Sequence, residues 1–307
     1  MKRYDLVIIG GGVGGLIAAS GAAQLGARVA LVEKKSLGGD CLNFGCVPTK
    51  RLVRSARVAH IARRGAQFGV ECGPVKVDFP SVMEKMALIQ KEIGQKDSPE
   101  RFRSMGVGVV FGNGGFKDPH TFEVNGDALT GRRFLIATGS SPVILPIPGL
   151  RESGALTNES ALKLKKLPES LVILGAGPIG IEFAQVYSRL GAKVTVIEKF
   201  TQILPREDKE LALSLHKILE GEGIKIDVCT EVKDVKSNGG RKNIAAACAT
   251  GAKLYDCEEV LIAIGRSPNT AGLDLEAAGV AYDGRKGITA DGLMRTSRSR
   301  TVVFSLL

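Results

Sequence analysis

The chain has no tryptophan, and aromatic residues make up 5% of it. None interleaves with its two basic clusters, which are Arg51, Arg54, Arg57, Arg63 and Arg64, and then Arg285, Lys286, Arg295, Arg298 and Arg300. Without aromatic platforms for base stacking, the formal charge of +10 reads as solvated surface or a general attraction for anionic ligands, and no nucleic-acid partner is expected. No stretch reaches the roughly 18 uninterrupted apolar residues of a membrane helix. Met1-Lys2-Arg3-Tyr4-Asp5 leads straight into an apolar run with no signal h-region, so the expected location is cytoplasmic. Cysteines are sparse, at six in 307 residues, which excludes a secreted disulfide scaffold. Cys72, Cys229, Cys248 and Cys257 lack metal-ligand spacing, and the three histidines, His60, His120 and His216, read as surface or packing residues, so no metal site is expected.

Glycine, at 39 residues, is abundant, and much of its meaning lies in an internal repeat. Leu6 to Lys34 and Leu171 to Lys199 align without gaps at an offset of 165 residues, with 13 of 29 positions identical. Each copy begins with a short apolar run suited to a strand buried on both faces, Leu6-Val7-Ile8-Ile9 and Leu171-Val172-Ile173-Leu174. A Gly-x-Gly-x-x-Gly turn follows, Gly10, Gly12 and Gly15 in the first copy and Gly175, Gly177 and Gly180 in the second. In such a turn the first glycine bends tightly, the second lets backbone approach a pyrophosphate and the third allows strand and helix to pack closely. The helix N-terminus adds donors and positive potential. Glu33 and Glu198 each lie 23 residues after the first glycine, near the spacing at which a carboxylate accepts hydrogen bonds from an adenosine ribose. Two β-α-β units, each with its carboxylate, predict two dinucleotide sites. Were a nicotinamide cofactor to take the second, Glu198 would repel the 2′-phosphate of NADP, which favours NAD, while Lys199 and Arg206 keep NADP as the alternative.

The other informative run is Leu37-Gly38-Gly39-Asp40-Cys41-Leu42-Asn43-Phe44-Gly45-Cys46-Val47-Pro48-Thr49-Lys50. Four residues between the thiols permit bridging across the first turn of a helix, where positive potential would lower thiol pKa values and speed exchange. A bare C-x4-C by default marks two inert core cysteines. The flanking Gly-Gly and Pro-x-Lys decide otherwise, because the run resembles the active-site motif of the pyridine nucleotide-disulfide oxidoreductases, the family of glutathione reductase, dihydrolipoamide dehydrogenase and mercuric reductase. Asp40 stands where that motif usually has Thr.

The resemblance implies an α/β fold with two Rossmann-like dinucleotide-binding domains of the FAD/NAD(P)-binding type, the second inserted in the first. It assigns FAD to Gly10, Gly12, Gly14, Gly15, Glu33, Lys34 and Gly39, and a nicotinamide cofactor to Gly175, Gly177, Gly180 and Glu198. Ala137-Thr138-Gly139 and Ala263-Ile264-Gly265-Arg266-Ser267-Pro268-Asn269 resemble the family's exit and return crossings, adding Thr138, Gly139, Gly265 and Arg266 to the cofactor set. The expected domains are 1–149 for FAD, 150–268 for NAD and 269–307 as the returning segment of the first. Within the first, Val107–Phe111, Thr121–Val124 and Arg133–Ala137 read as an antiparallel meander. A long polar helix over Ser81–Met105, with a break near Asp97-Ser98-Pro99 as the alternative, precedes it. In the second, a helix is expected over Asp208–Glu222 and strands near 225–228, 244–249 and 259–264.

By the same resemblance, hydride passes from NADH through the flavin to a Cys41–Cys46 disulfide, with Cys46 facing the flavin and Cys41 exchanging with substrate. Lys50 would stabilise negative charge on the reduced ring and Glu182 would pair with Lys50. The substrate is a small disulfide, a dithiol or a metal ion. Full-length relatives continue into a Gly-Asp pair and a dimerisation domain that carries a His-Glu pair. Val302–Leu307 stands where the Gly-Asp pair would come, so the chain is read as C-terminally truncated, with weak or no turnover, and a homodimer is expected only of the full-length protein. Two other readings stay open at this point, a catalytically silent nucleotide-binding fragment and a flavin NADH oxidase or quinone reductase.

Overall fold

The computed structural model describes residues 2–304; the end of the Val302–Leu307 run, 305–307, lies outside the described residues. The chain forms two compact units, one of residues 2–47, 90–141 and 266–304, the other of 48–89 and 142–265.

The first unit is built on a seven-stranded sheet. Lys2–Ile9 is central, flanked by Val29–Glu33 and Asp127–Ile136, both parallel to it. Gly108–Phe111 extends the parallel set beyond Val29–Glu33. It does not belong to a meander, contrary to the reading of Val107–Phe111; its partner is a strand some eighty residues earlier, which local alternation cannot encode. The meander is made instead of Gly114–Asp118, Thr121–Val124 and the first half of Asp127–Ile136. The second half of that strand pairs in parallel with Thr301–Val303. Phe116 sits edge-on to both Phe122 and Phe134, with ring centroids 5.1 Å apart in each pair, and all three are fully buried. Edge-to-face packing of this kind adds about 0.5–1.5 kcal/mol per pair to the area buried.

The second unit holds a four-stranded parallel sheet in the order Lys225–Asp227, Lys193–Ile197, Ser170–Leu174, Glu259–Ile262. An antiparallel three-stranded sheet, Thr230–Asn238, Arg241–Cys248 and Gly251–Cys257, packs on it through Val235, Ile244 and Tyr255. The helix Lys209–Gly221 carries Asp208 as its N-cap, the carboxylate accepting from Glu210 and Leu211 N–H. The long helix expected over 81–105 is two helices: Phe79–Gly94 runs from this unit into the first and ends in a 3-10 turn, and in the first unit Ser98 caps a new helix, Pro99–Ser104.

Within this unit the helix Cys46–Arg63, whose first two residues belong to the other unit, is stapled to the helix Pro178–Leu190. Arg63 donates to the Arg189 carbonyl at 2.5 Å. Arg189 grips Glu222 with two hydrogen bonds of 2.6 and 2.8 Å. Burial alone would raise the Glu222 carboxyl, but the Arg189 guanidinium outweighs it and holds the carboxyl below its usual range.

Helix and strand meet most tightly at the third glycine of each repeat. A Cβ on Gly180 would lie 2.1 Å from the Gly175 carbonyl oxygen, and one on Gly15 1.9 Å from that of Gly10. A Cβ on Gly177 would meet nothing within 4 Å, and its φ of −70° suits any residue. Gly180→Ala is therefore expected to cost at least about 1–3 kcal/mol in urea denaturation, as overpacking does. Gly177→Ala, which loses only a modest helix cap, should cost under about 1 kcal/mol.

Candidate functional site

The two glycine turns are built alike to the level of single hydrogen bonds. Gly10 and Gly175 take φ of +108° and +98°, and a Cβ on either would strike backbone, the Ala137 carbonyl oxygen at 2.2 Å or that of Ala263 at 2.6 Å. Gly12 and Gly177 are the N-caps of Val13–Gln24 and Pro178–Leu190, and no side chain caps either helix. Glu33 accepts from Gly11 N–H at 2.7 Å and from Lys35 N–H at 2.8 Å. Glu198 accepts from Ala176 N–H at 2.7 Å and from Phe200 N–H at 2.9 Å, the same positions in the second repeat. Each carboxylate so fixes its own turn, and with about four lone-pair sites it keeps acceptor capacity for ribose hydroxyls. Uncapped helix N-termini with positive potential, bare glycines beneath them and a fixed carboxylate at the next strand end form a cradle that fits a dinucleotide in both units. Lys34 is exposed beside the first.

The cysteine segment lies on the first cradle. Gly38 N–H donates to the Gly11 carbonyl at 2.9 Å, and a Cβ on Gly39 would stand 2.5 Å from Gly12 Cα. Backbone thus rests on backbone, with Gly38 and Gly39 at φ of +91° and +55°. From there Gly39–Asn43 forms one helical turn and Cys46 opens the helix Cys46–Arg63. Two side chains that single-residue motif reasoning does not supply hold this turn. Asn43 donates to the carbonyls of Gly39 and Leu37 at 2.8 and 3.1 Å, and Gln90 donates to those of Asn43 and Leu42 at 2.8 and 3.0 Å. Asn43 was visible inside the motif; Gln90, 47 residues on from Asn43, carried no local signal.

Both cysteines are free thiols, Cys46 exposed and Cys41 half-buried. Burial pushes the Cys41 thiol up to about 11, and its hydrogen bond to Cys46 and the neighbouring Asp40 carboxylate act in the same direction. This corrects the expectation of a lowered pKa at Cys41. The residue lies inside a helix of five residues, too short to sum a useful dipole, and beside a carboxylate.

The crossing segments meet next to this site. Arg266 Nε donates to Ser140 Oγ at 2.9 Å, and its Nη2 donates to the Ser140 carbonyl at 2.7 Å and to Asp40 Oδ1 at 3.0 Å. Asn269 ties the same strands together, donating to the Thr138 carbonyl at 2.9 Å while its own carbonyl accepts from the Thr138 hydroxyl at 2.8 Å. Gly139 and Gly265, at φ of +66° and +140°, turn the chain at the two crossings. Gly14 lies under the Phe304 ring, which an added Cβ would strike at 2.2 Å.

Other expected partners are not brought together. Lys50 is exposed, Glu182 is half-buried, and no ion pair joins them among the described residues. An exposed lysine gains only about 0–1 kcal/mol from such a pair, so nothing forces contact. His120 is exposed and His216 faces Glu220 at 3.5 Å. His60 is lowered by burial and then by Arg189. Among the described residues no three His, Cys, Asp or Glu side chains cluster as metal ligands, and no helix is long and apolar enough to cross a membrane.

The profile of the family described as pyridine nucleotide-disulphide oxidoreductase matches residues 4–304. The chain belongs to that family. Its members are FAD- and NAD(P)-dependent oxidoreductases acting on sulfur groups. A mercuric reductase of Bacillus cereus is 34% identical over 297 residues, 97% of this chain and 47% of the relative. A dihydrolipoyl dehydrogenase of Acholeplasma laidlawii is 37% identical over 278 residues, 89% of this chain and 81% of the relative. Among solved structures, the Cu(II) complex of the HOCl-induced flavoprotein disulfide reductase RclA from Escherichia coli superposes with a TM-score of 0.87 at 30% identity, covering 99% of this chain and 66% of that one. The chain spans about half the length of the curated mercuric reductases it matches.

The raised Cys41 thiol has a direct readout. In the fully reduced chain, the rate of iodoacetamide alkylation at Cys41, followed by peptide mass spectrometry, should climb with pH to a midpoint near 11. A midpoint at or below the ordinary thiol value of 9.0 would contradict the burial described here.

Proposed function

We propose that these 307 residues are the nucleotide-binding part of an NADH-linked, FAD-dependent disulfide oxidoreductase, in which Cys41 and Cys46 are the redox pair. The observation that carries this reading is the seating of Gly38-Gly39 on Gly11-Gly12, which starts the cysteine turn on the pyrophosphate cradle itself. In the overall change NADH, a proton and a disulfide give NAD and two thiols. Bound FAD would supply the two-electron relay between the nicotinamide and the sulfur pair. The domains assigned are 1–149 and 269–307 for FAD and 150–268 for the nicotinamide cofactor.

The chain's own residues have distinct tasks in this reading. Gly10, Gly12, Gly14 and Gly15 keep the first turn bare for a pyrophosphate, and Glu33 holds its shape while accepting from ribose. Gly175, Gly177, Gly180 and Glu198 do the same for the nicotinamide dinucleotide. Thr138, Gly139, Gly265 and Arg266 fix the crossing beside the cofactor, while Lys34, Gly39 and Lys50 border it. Cys46 stands at the positive end of an 18-residue helix and is exposed; the family motif makes it the thiol that faces the flavin, leaving Cys41 to exchange with substrate. Cys41 keeps its proton to about 11, and none of the three histidines is a hydrogen-bond partner of either thiol among the described residues. Exchange with an external disulfide needs that proton removed. Turnover by this chain alone is therefore expected to be weak, with the base, and a homodimer, belonging to the longer protein.

NAD is favoured over NADP by Glu198, whose buried, backbone-anchored carboxylate would face a 2′-phosphate. Lys199 is engaged with Glu231 at 3.3 Å, while Arg206 makes no ion pair among the described residues. Small disulfides, lipoamide-type dithiols and Hg(II) remain the substrate classes consistent with the sulfur pair.

Two measurements test the reading. The purified chain should take up FAD with a visible flavin spectrum, and Cys46→Ser should keep the flavin but lose NADH-driven formation of free thiol on the protein. Retention of that thiol formation would overturn the assignment of the pair. In equilibrium titrations NADH should bind tighter than NADPH, and Glu198→Gln should narrow the difference by about tenfold, or 1.4 kcal/mol.

A further inference from the structure

Asp40 touches both ends of the cysteine turn. It is bonded to Cys41, its backbone carbonyl accepts from Phe44 N–H at 2.8 Å, and a Cβ on Gly45 would lie 3.1 Å from its Oδ2. Gly45 is bonded to Cys46, so one carboxylate fills the space between the residues flanking the two thiols. That carboxylate is anchored from outside the turn by Arg266, 226 residues away, at 3.0 Å.

Arg266 is a stiff anchor. Its Nε and Nη2 are both committed to Ser140, on the paired crossing strand, and the side chain is 20% exposed against 45% for Asp40. Its Nη1 is shielded from solvent and has no partner among the described residues, so the guanidinium cannot swing outward without giving up two bonds. The strand that carries it is tied in turn through Asn269 to Thr138. A planar group that holds Ser140 through Nε and Nη2 and reaches Asp40 from the same Nη2 is an arrangement that lysine cannot reproduce.

We propose that Asp40 and Arg266 are positioning residues that set the redox poise of the Cys41–Cys46 couple, holding the two thiols at bridging distance by clamping the turn between them to the crossing strands. This rests on the reading of Cys41 and Cys46 as the redox pair. A disulfide forms only when the two Cα atoms lie within about 4.4–6.8 Å with suitable directions. Ordering the turn beforehand lowers the conformational entropy lost on closure, which favours the disulfide over the dithiol. The pair also sets charge. Asp40 disfavours a thiolate at Cys41, and Arg266 offsets it, so the two residues act on the thiol with opposite sign while acting on closure with the same sign.

That difference in sign defines the test. The full chain, with Arg266→Met, Asp40→Asn and both together, is equilibrated in glutathione redox buffers, and the Cys41–Cys46 disulfide fraction is read by thiol trapping and mass spectrometry. Each single variant should lower the equilibrium constant for disulfide formation by about tenfold, a shift of about 30 mV for a two-electron couple. The double variant should fall no further than the singles. In the reduced chain the alkylation midpoint of Cys41 should rise in Arg266→Met and fall in Asp40→Asn, a pair of opposite shifts that simple loosening of the turn would not produce. If Arg266→Met does not fold, Asp40→Asn, which leaves every Arg266–Ser140 bond in place, carries both readouts alone. Equilibrium constants within twofold of the parent chain would overturn the positioning role. If the parent chain forms no reversible Cys41–Cys46 disulfide in any buffer, it is the redox-pair reading itself that fails.

Discussion

The contact on which the site depends is backbone against backbone. Gly38-Gly39 lies on Gly11-Gly12 so closely that a single added carbon at Gly39 would come within 2.5 Å of Gly12 Cα. No side chain mediates it, so no rotamer change can relieve a substitution. The cysteine pair follows within a few residues of that contact: Asp40 turns the chain, Asn43 and Gln90 tie off its carbonyls, and Cys46 begins the long helix. A cradle for an anion and a pair of thiols therefore share one rigid piece of main chain. Rigidity there suits electron transfer, which rewards fixed distances, and fits the preference for functional groups placed on regular elements.

The repeat shows how far identical physics yields identical structure. At an offset of 165 residues, two carboxylates accept from the same two backbone positions with lengths that agree within 0.1 Å. Burial separates them, since Glu198 is nearly enclosed and Glu33 is partly open. The surroundings differ because the second sheet is covered by an antiparallel layer and the first carries a meander along one edge. A shared motif thus fixes the shape of its turn, and the elements around it decide how open that turn is.

Much of this was legible in the sequence, for physical reasons that can be named. Period, glycine placement and acid spacing are local, so both β-α-β units could be read directly, while the cysteine turn and the crossings were pointed to by the family's motifs. What escaped depends on partners far along the chain. Gly108–Phe111 looks like any short apolar strand, and only its pairing with Val29–Glu33 makes it parallel. Gly114–Asp118 begins with two glycines and hides as a loop. Thr230–Asn238 is polar, and an irregularity between Val232 and Asp234 breaks the alternation that would have marked it. The Asp40–Arg266 bridge and the Gln90 hydrogen bonds join residues 226 and 47 positions apart, beyond any local pattern. The pKa of Cys41 ran against expectation because burial and a neighbouring carboxylate outweigh one short helical turn.

The segment from Pro142 to Gly265 begins and ends at one narrow doorway, where Val143 N–H donates to the Gly265 carbonyl at 3.0 Å. Such a doorway lets a stretch of more than a hundred residues be threaded into another fold at little entropic cost, since its two ends are already neighbours. At that doorway Ser140–Pro142 and Arg266–Pro268 pair as a two-stranded sheet separate from the seven-stranded one, so the length of the segment between them leaves the register of the larger sheet untouched.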